Sequence, residues 1–349
     1  MKKIHFAEVS FIRFICVLCI ILDHCFIIYT NSSFWARPIN YTDIPQYYYL
    51  CRVSVSFSLA AFAFVSGYVY SISRTKYSFR SKDGILKLIH NKSLRLLLPC
   101  FLWGAIYVLL FIDYNSPVQF VAKIALGAGH LWFLLMLFWV FLLNGCLELI
   151  NGRIIKCSIL LILFWITRFY NIPFRITEAC YYLPFFFLGT HFYKKREVNN
   201  NNLVIRRLLY SFSLFVVTFL FYLYIDERKE CGMFLCNKYM SHEGVNVIIV
   251  QSFKFLSSYL GTLFIYYLSI LLSKYCTNRV SAFIEDFASL SMGIYIFQEF
   301  LIRFIYYCSP IPCYISPVLL PWFAFGWSVI ISYILSFLFN KSSVTSKII

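Results

Sequence analysis

The chain has 349 residues, of which 61% are apolar or aromatic and 13% charged, against roughly 25% charged in a soluble globular domain. A soluble fold of this composition would lack the charged surface needed to stay dissolved, whereas helices that are apolar all round can face lipid. The formal charge of +16 would suggest nucleic acid as partner in a soluble protein. Here the basic residues fall between hydrophobic runs, where membrane topology accounts for them.

A transmembrane helix needs roughly 20 mostly apolar residues. In chain order, such runs predict ten spans: Phe11–Tyr29, Val53–Ser73, Leu94–Ile112, Phe120–Leu143, Cys157–Tyr170, Ala179–Tyr193, Leu208–Ile225, Val245–Leu272, Phe287–Ile305 and Val318–Phe339. The fifth and sixth are short for the task. Lys2 and Lys3 ahead of an apolar run look like a secretory leader. Asp23 and His24 interrupt that run, however, and no small-residue cleavage site follows, so the first helix is expected to be retained. No charged stretch of domain size interrupts the spans. The expected fold is an all-α integral membrane protein, a bundle of about ten transmembrane helices forming one membrane-embedded domain over residues 1–349.

Between the predicted spans, charge alternates. Lys2 and Lys3, the run from Arg74 to Arg95, Arg153 and Lys156, Lys194 to Arg207, Lys274 and Arg279, and Lys341 and Lys347 all fall on one side. They make up 20 of the 31 Lys and Arg. Cytoplasmic loops carry such an excess, which places both termini in the cytoplasm.

Ionisable residues inside spans are costly and usually face a protein interior or a wet cavity. The first span carries Arg13, Asp23 and His24. Arg13 and His24 are eleven residues apart, about three turns and about 16 Å along the axis, and nearly the same azimuth. Both therefore line one face, Arg13 towards the cytoplasmic mouth and His24 in the outer half. That arrangement suits a long anionic ligand entering from the cytoplasm with its reactive end outward. Histidine can take and return a proton near neutral pH, which makes His24 a candidate general base. The competing reading is a polar pair that only joins helices. Asp23 points to another face and is expected to pair elsewhere or to give indirect support.

Lys92 and Arg95 stand three apart before the third span, where they either hold phosphates or serve as ordinary topological signals. Glu299 and Arg303 are four apart on the ninth span, so Glu299 either pairs within its own helix or supports the histidine. His130 opens the fourth span and His191 closes the sixth, positions where lone histidines usually serve structure. The 13 cysteines lie mostly within apolar segments, where a thiol behaves as a small hydrophobe, and no metal site is expected. Cys231 with Cys236, and Cys308 with Cys313, share predicted outer loops in which disulfides are permitted.

Across nearly its full length the chain resembles acyltransferase family 3 of the membrane O-acyltransferases. Arg13-x10-His24 is similar to that family's Arg-x10-His signature. FAFVSGYVY, with Ser66, Gly67 and Tyr68, resembles its aromatic run ending in Ser-Gly-Tyr. KSLRLLLPCFLW, GHLWFLL (His130, Trp132), YYLPFFFLG and LSMGIYIFQ follow in the family's order. Two departures stand out. The family commonly has Arg-x-x-Arg where this chain has Lys92-x-x-Arg95. Many members have His where this chain has Gln298, which leaves His24 to carry the catalytic case alone.

The resemblance implies transfer of an acyl group, usually acetyl, from cytoplasmic acetyl-CoA to a hydroxyl of a cell-surface or lipid-linked glycan. It implies His24 in catalysis with possible support from Asp23 or Glu299, and Arg13, Lys92 and Arg95 at the anionic CoA end. A groove for substrate would include Ser66, Tyr68, His130, Trp132 and Gln298, with acceptor binding left to the membrane domain and outer segments such as Tyr41–Tyr49. The expected location is a bacterial cytoplasmic membrane. A transporter or flippase of lipid-linked saccharide is the rival reading, since it also needs many helices and a polar intramembrane groove.

Overall fold

The structure, a computed structural model, describes residues 7–30, 36–38, 41–73, 79, 81–194, 201–228 and 242–342. Lys2, Lys3, Arg74, Lys76, Arg80, Lys195, Arg196, Lys347, Cys231 and Cys236 lie outside the described residues. Among the described residues the regular structure is entirely helical. The helices are α1 (Ala7–Phe26), α2 (Pro45–Ser73), α3 (Lys82–Lys92), α4 (Leu98–Phe111), α5 (Pro117–Ala125), α6 (Trp132–Leu149) and α7 (Arg153–Phe169). They continue as α8 (Ile176–Lys194), α9 (Asn201–Arg228), α10 (His242–Tyr275), α11 (Asn278–Ser289), α12 (Ser291–Arg303), α13 (Ile311–Tyr314) and α14 (Leu320–Lys341).

This is a multi-pass membrane protein. Among the described residues, seven helical stretches are long and apolar enough to cross a bilayer, and a bent pair, Asn278–Ser289 with Ser291–Cys308, adds an eighth if it counts as one span. The predicted fifth and sixth spans correspond to α7 and α8, of 17 and 19 residues.

Two predicted spans have a different form in the structure. Phe120–Leu143 is not one helix: α5 ends at Ala125, and a 3-10 turn over Gly129–Leu131 precedes α6. Gly127 and Gly129 have φ of +77° and +51°, a left-handed backbone that a right-handed helix cannot continue through. Phe287–Ile305 likewise is not one helix: α11 closes at Ser289 and α12 opens at Ser291. Apolar content alone carries no mark of either break.

The chain forms two compact units, one of Met1–Ala36, Asp43–Phe62 and Arg196–Ser289, the other of Arg37–Thr42, Ala63–Lys195 and Leu290–Ile349. In the first, α9 runs along α10, and α1 packs on α10 and α11. Phe14 meets Phe287 edge to face at 4.9 Å. The Ser258 hydroxyl donates to the Ser56 carbonyl (2.6 Å). Arg52 bonds the Tyr222 hydroxyl (2.6 Å) and forms an ion pair with Asp226, so its charge is compensated where the helices meet.

In the second unit, α14 lies along α12 with a row of small residues buried on one face: Ala324, Ser328, Ser332 and Ser336. Spacing of four puts them in line, and their size lets helix axes approach closely where lipid offers no hydrophobic drive. The Ser336 hydroxyl returns to the Ser332 carbonyl at 2.6 Å, which satisfies it within the helix. The opposite face stays apolar and exposed, as at Ile330 and Leu338.

Candidate active site

Arg13, Asp23 and His24 all lie on α1, which runs without interruption from Ala7 to Phe26. The face that carries Phe11, Ile12, Cys16, Val17, Ile20 and Ile21 is buried, while Arg13, Asp23 and His24 are half-buried. Because the helix is unbroken, the eleven-residue spacing retains its meaning, with Arg13 and His24 about three turns apart at nearly one azimuth. The Asp23 carboxylate points elsewhere, accepting a hydrogen bond from the Cys51 thiol of α2 at 2.8 Å. Cys16 and Cys19 also lie on α1, but among the described residues no three His, Cys, Asp or Glu are grouped so as to hold a metal ion.

Lys92 and Arg95 occupy the second unit, around a π-helical turn over Ser93–Leu97 that joins α3 to α4. A π turn changes the angular step per residue, so the pair does not keep the side-by-side arrangement that α-helical spacing implies. Lys92 turns inward, its ammonium 3.7 Å from the centroid of the Phe141 ring, while Arg95 is exposed. The π turn is the kind of helical irregularity that often occurs at functional sites, and Pro99 follows it at the start of α4.

The Ser-Gly-Tyr segment of α2 meets α8 at close range. A β-carbon on Gly67 would lie 2.0 Å from the Phe186 carbonyl oxygen, and one on Gly189 would lie 1.9 Å from the Phe64 carbonyl oxygen. Each glycine therefore lets the other helix's backbone come near. Ser66 beside it is half-buried, and Tyr68 is buried with its ring edge to face with Tyr193 at 5.4 Å.

The most polar interior of the second unit gathers around Glu299. This residue of α12 is 3% exposed, and its carboxylate accepts from the Tyr107 hydroxyl of α4 and from Nε of Arg303 (3.3 Å). Its other oxygen forms an ion pair with Nδ1 of His130 at 3.0 Å. Nε2 of His130 lies 3.0 Å from the Ile296 carbonyl, and the Tyr295 hydroxyl donates to the His130 carbonyl.

A carbonyl can only accept, so Nε2 of His130 carries a proton. Gly129 permits this packing, because a β-carbon there would lie 2.4 Å from the Tyr107 ring. Trp132 opens α6 beside the same turn, with the Arg175 guanidinium 5.7 Å from its ring. Gln298, next to Glu299, is fully buried.

The structure thus places the named residues in four settings: Arg13, Asp23 and His24 on α1; Ser66 and Tyr68 where α2 meets α8; Lys92 and Arg95 at the π turn; and His130 with Glu299, near Trp132 and Gln298, in a buried polar cluster. Tyr107 and Tyr295, which complete that cluster, carry no signal in the sequence, since tyrosines are scattered through the aromatic helices. The expected freedom of Cys308 and Cys313 to pair is not used: both are separate, exposed thiols.

A family model described as an acyltransferase domain matches residues 6–340, nearly the whole chain. No curated protein and no solved structure matches it.

Proposed function

The chain belongs to acyltransferase family 3, and from that premise we propose that it moves an acetyl group from cytoplasmic acetyl-CoA to a hydroxyl of a cell-surface or lipid-linked glycan. That it is a membrane acyltransferase follows from the family match and the membrane helices. The donor, the acceptor and a bacterial cytoplasmic membrane as its location are our reading. So is a topology of ten spans with both termini cytoplasmic, counted as the seven long stretches, the bent pair, α7 and α8.

The observation that carries the mechanism is the unbroken α1, which sets a permanent cation and a titratable imidazole about three turns apart on one face. In this reading Arg13, Lys92 and Arg95 hold the phosphates of the donor, as cations on long side chains suit. His24 takes the proton of the glycan hydroxyl as its oxygen attacks the thioester carbonyl. A C–O bond forms, the C–S bond breaks, and the proton passes from the imidazolium to the departing thiolate of CoA. Glu299 acts as a positioning residue, holding His130, Tyr107 and Arg303 in one arrangement.

The test compares purified surface glycan by proton NMR from cells with and without the protein. O-acetyl signals present only with the protein, and removed by mild base, are expected. A glycan that is unmodified yet fails to reach the surface without the protein would instead make it an exporter.

A further inference from the structure

Within the second unit, α6, α7 and α8 line a half-open cavity of about 280 Å³. Asn144 and Glu148 of α6, Arg153 and Lys156 of α7, and Thr190 and His191 of α8 supply its polar lining. Two permanent cations against one carboxylate leave an excess of positive charge. Nη2 of Arg153 lies 3.3 Å from Nε2 of His191. A guanidinium can only donate, so Nε2 of His191 is the acceptor in this contact.

Gly152 enters α7 with φ of +91°, and no side chain caps the helix behind it. The first N–H groups of this 17-residue helix therefore lack an internal partner at a point where Gly152 and Arg153 both line the cavity. Such an end carries roughly half a positive charge and favours anions.

An independent observation points to a ligand. Asn144 lines the cavity and is 2% exposed, yet its buried amide nitrogen has no hydrogen-bond partner among the described residues. A buried donor left unpaired is costly, and an oxygen anion in the cavity would satisfy it. Beside the basic lining, Ile154 and Ile155 are 82% and 54% exposed. Negative phosphate oxygens next to apolar chains describe one ligand class. We propose that this cavity binds the phosphate headgroup of an anionic phospholipid, with its acyl chains lying against the outer face of α7. Basic pockets between transmembrane helices suit such headgroups. Only the assignment of this end to the cytoplasm rests on the proposed topology. Binding is read without turnover, so it stands or falls separately from the acyl-transfer reading.

The experiment uses the full chain, stripped of lipid in neutral detergent and titrated with dioleoylphosphatidylglycerol or dioleoylphosphatidylcholine, with bound lipid counted by native mass spectrometry. Preference for phosphatidylglycerol is expected. Arg153→Gln and Lys156→Gln should each weaken it by about fivefold, while Lys82→Gln, a cation outside the cavity, leaves it unchanged. Gel filtration and circular dichroism confirm that the variants fold. Equal binding of the two lipids, or phosphatidylglycerol binding unaffected by both cavity variants, overturns the proposal. Coenzyme A that displaces the lipid and shows the same sensitivity to both variants would also overturn it, assigning the cavity to the phosphates of the donor.

Discussion

The Glu299 carboxylate stands 3.0 Å from Nδ1 of His130, with both side chains buried, one on α12 and the other on the 3-10 turn before α6. The same carboxylate compensates Arg303 and accepts from Tyr107. Removing it takes away the carboxylate that the half-buried guanidinium and the buried imidazole share. Breaking a buried pair from one side typically costs about 3–5 kcal/mol, so Glu299→Ala should lose stability on that scale in denaturant unfolding from micelles. Because the two residues share one interaction, Glu299→Ala combined with His130→Ala should cost clearly less than the sum of the single changes. Additive losses would mean that the contact contributes nothing specific.

Three helical glycines separate close packing from helix propensity. A methyl at Gly67 would meet the Phe186 carbonyl at 2.0 Å, and one at Gly189 the Phe64 carbonyl at 1.9 Å; neither backbone can step aside cheaply. At Gly326 of α14 nothing lies within 4 Å. Gly67→Ala and Gly189→Ala should each destabilise by about 1–3 kcal/mol or more, as overpacking does. Gly326→Ala should be neutral or stabilise by up to about 1 kcal/mol, the ordinary helical gain. Thermal unfolding of the three variants in one detergent checks the order. A Gly326→Ala protein as unstable as Gly67→Ala would remove the close-approach explanation.

Helices were legible in the sequence because lipid demands long apolar runs: α1 and α14 match such runs within a few residues, and α2 and α9 contain theirs but begin eight and seven residues earlier. What escaped was geometry set by backbone conformation and by contacts distant in sequence. The breaks at Gly127 and at Leu290 interrupt runs whose hydrophobicity does not change. The π turn around Lys92 and Arg95 likewise leaves composition untouched while separating two side chains that α-helical spacing puts together. Intramembrane charges did announce themselves, and Glu299 was visible as one of them. His130 was visible as a histidine opening a span and Tyr107 was not, but the link of either to Glu299 was hidden, because it depends on α4, the turn before α6 and α12 converging. Asn144 was silent and His191 was visible only as a histidine at the end of a span; their shared cavity exists only after α6, α7 and α8 assemble.

Topology is testable apart from chemistry. The basic residues from Arg74 to Arg95 motivate a cytoplasmic placement for that segment, by the excess of Lys and Arg on cytoplasmic loops. In a background cleared of reactive native cysteines, a cysteine introduced at position 80 should resist a membrane-impermeant maleimide added to intact cells. One introduced at position 40 should react. Labelling from outside at position 80 would reverse the orientation and move Arg13 away from the donor's side.

The sharpest test of mechanism lies on α1, where one unbroken helix carries two residues assigned different tasks. If His24 moves the proton while Arg13 holds the donor, their substitutions must fail differently. His24→Ala should leave abundance and CoA binding close to wild type and abolish acylation, since loss of a general base costs a factor of roughly 10² to 10⁴ in rate. Arg13→Ala should instead raise the acyl-CoA concentration needed for half-maximal rate, and added donor should recover part of the activity. Lys92→Arg should retain activity, because a guanidinium can keep the contact with the Phe141 ring that the ammonium makes at 3.7 Å and still answer phosphate. A purely structural role for the pair makes a different pattern. Both alanine variants would then accumulate poorly, and neither would respond to donor concentration. The decisive measurement is therefore donor titration of purified Arg13→Ala and His24→Ala proteins, normalised to folded protein by gel filtration. A well-folded His24→Ala protein acylating at the wild-type rate would falsify the general-base assignment, whatever the behaviour of Arg13→Ala.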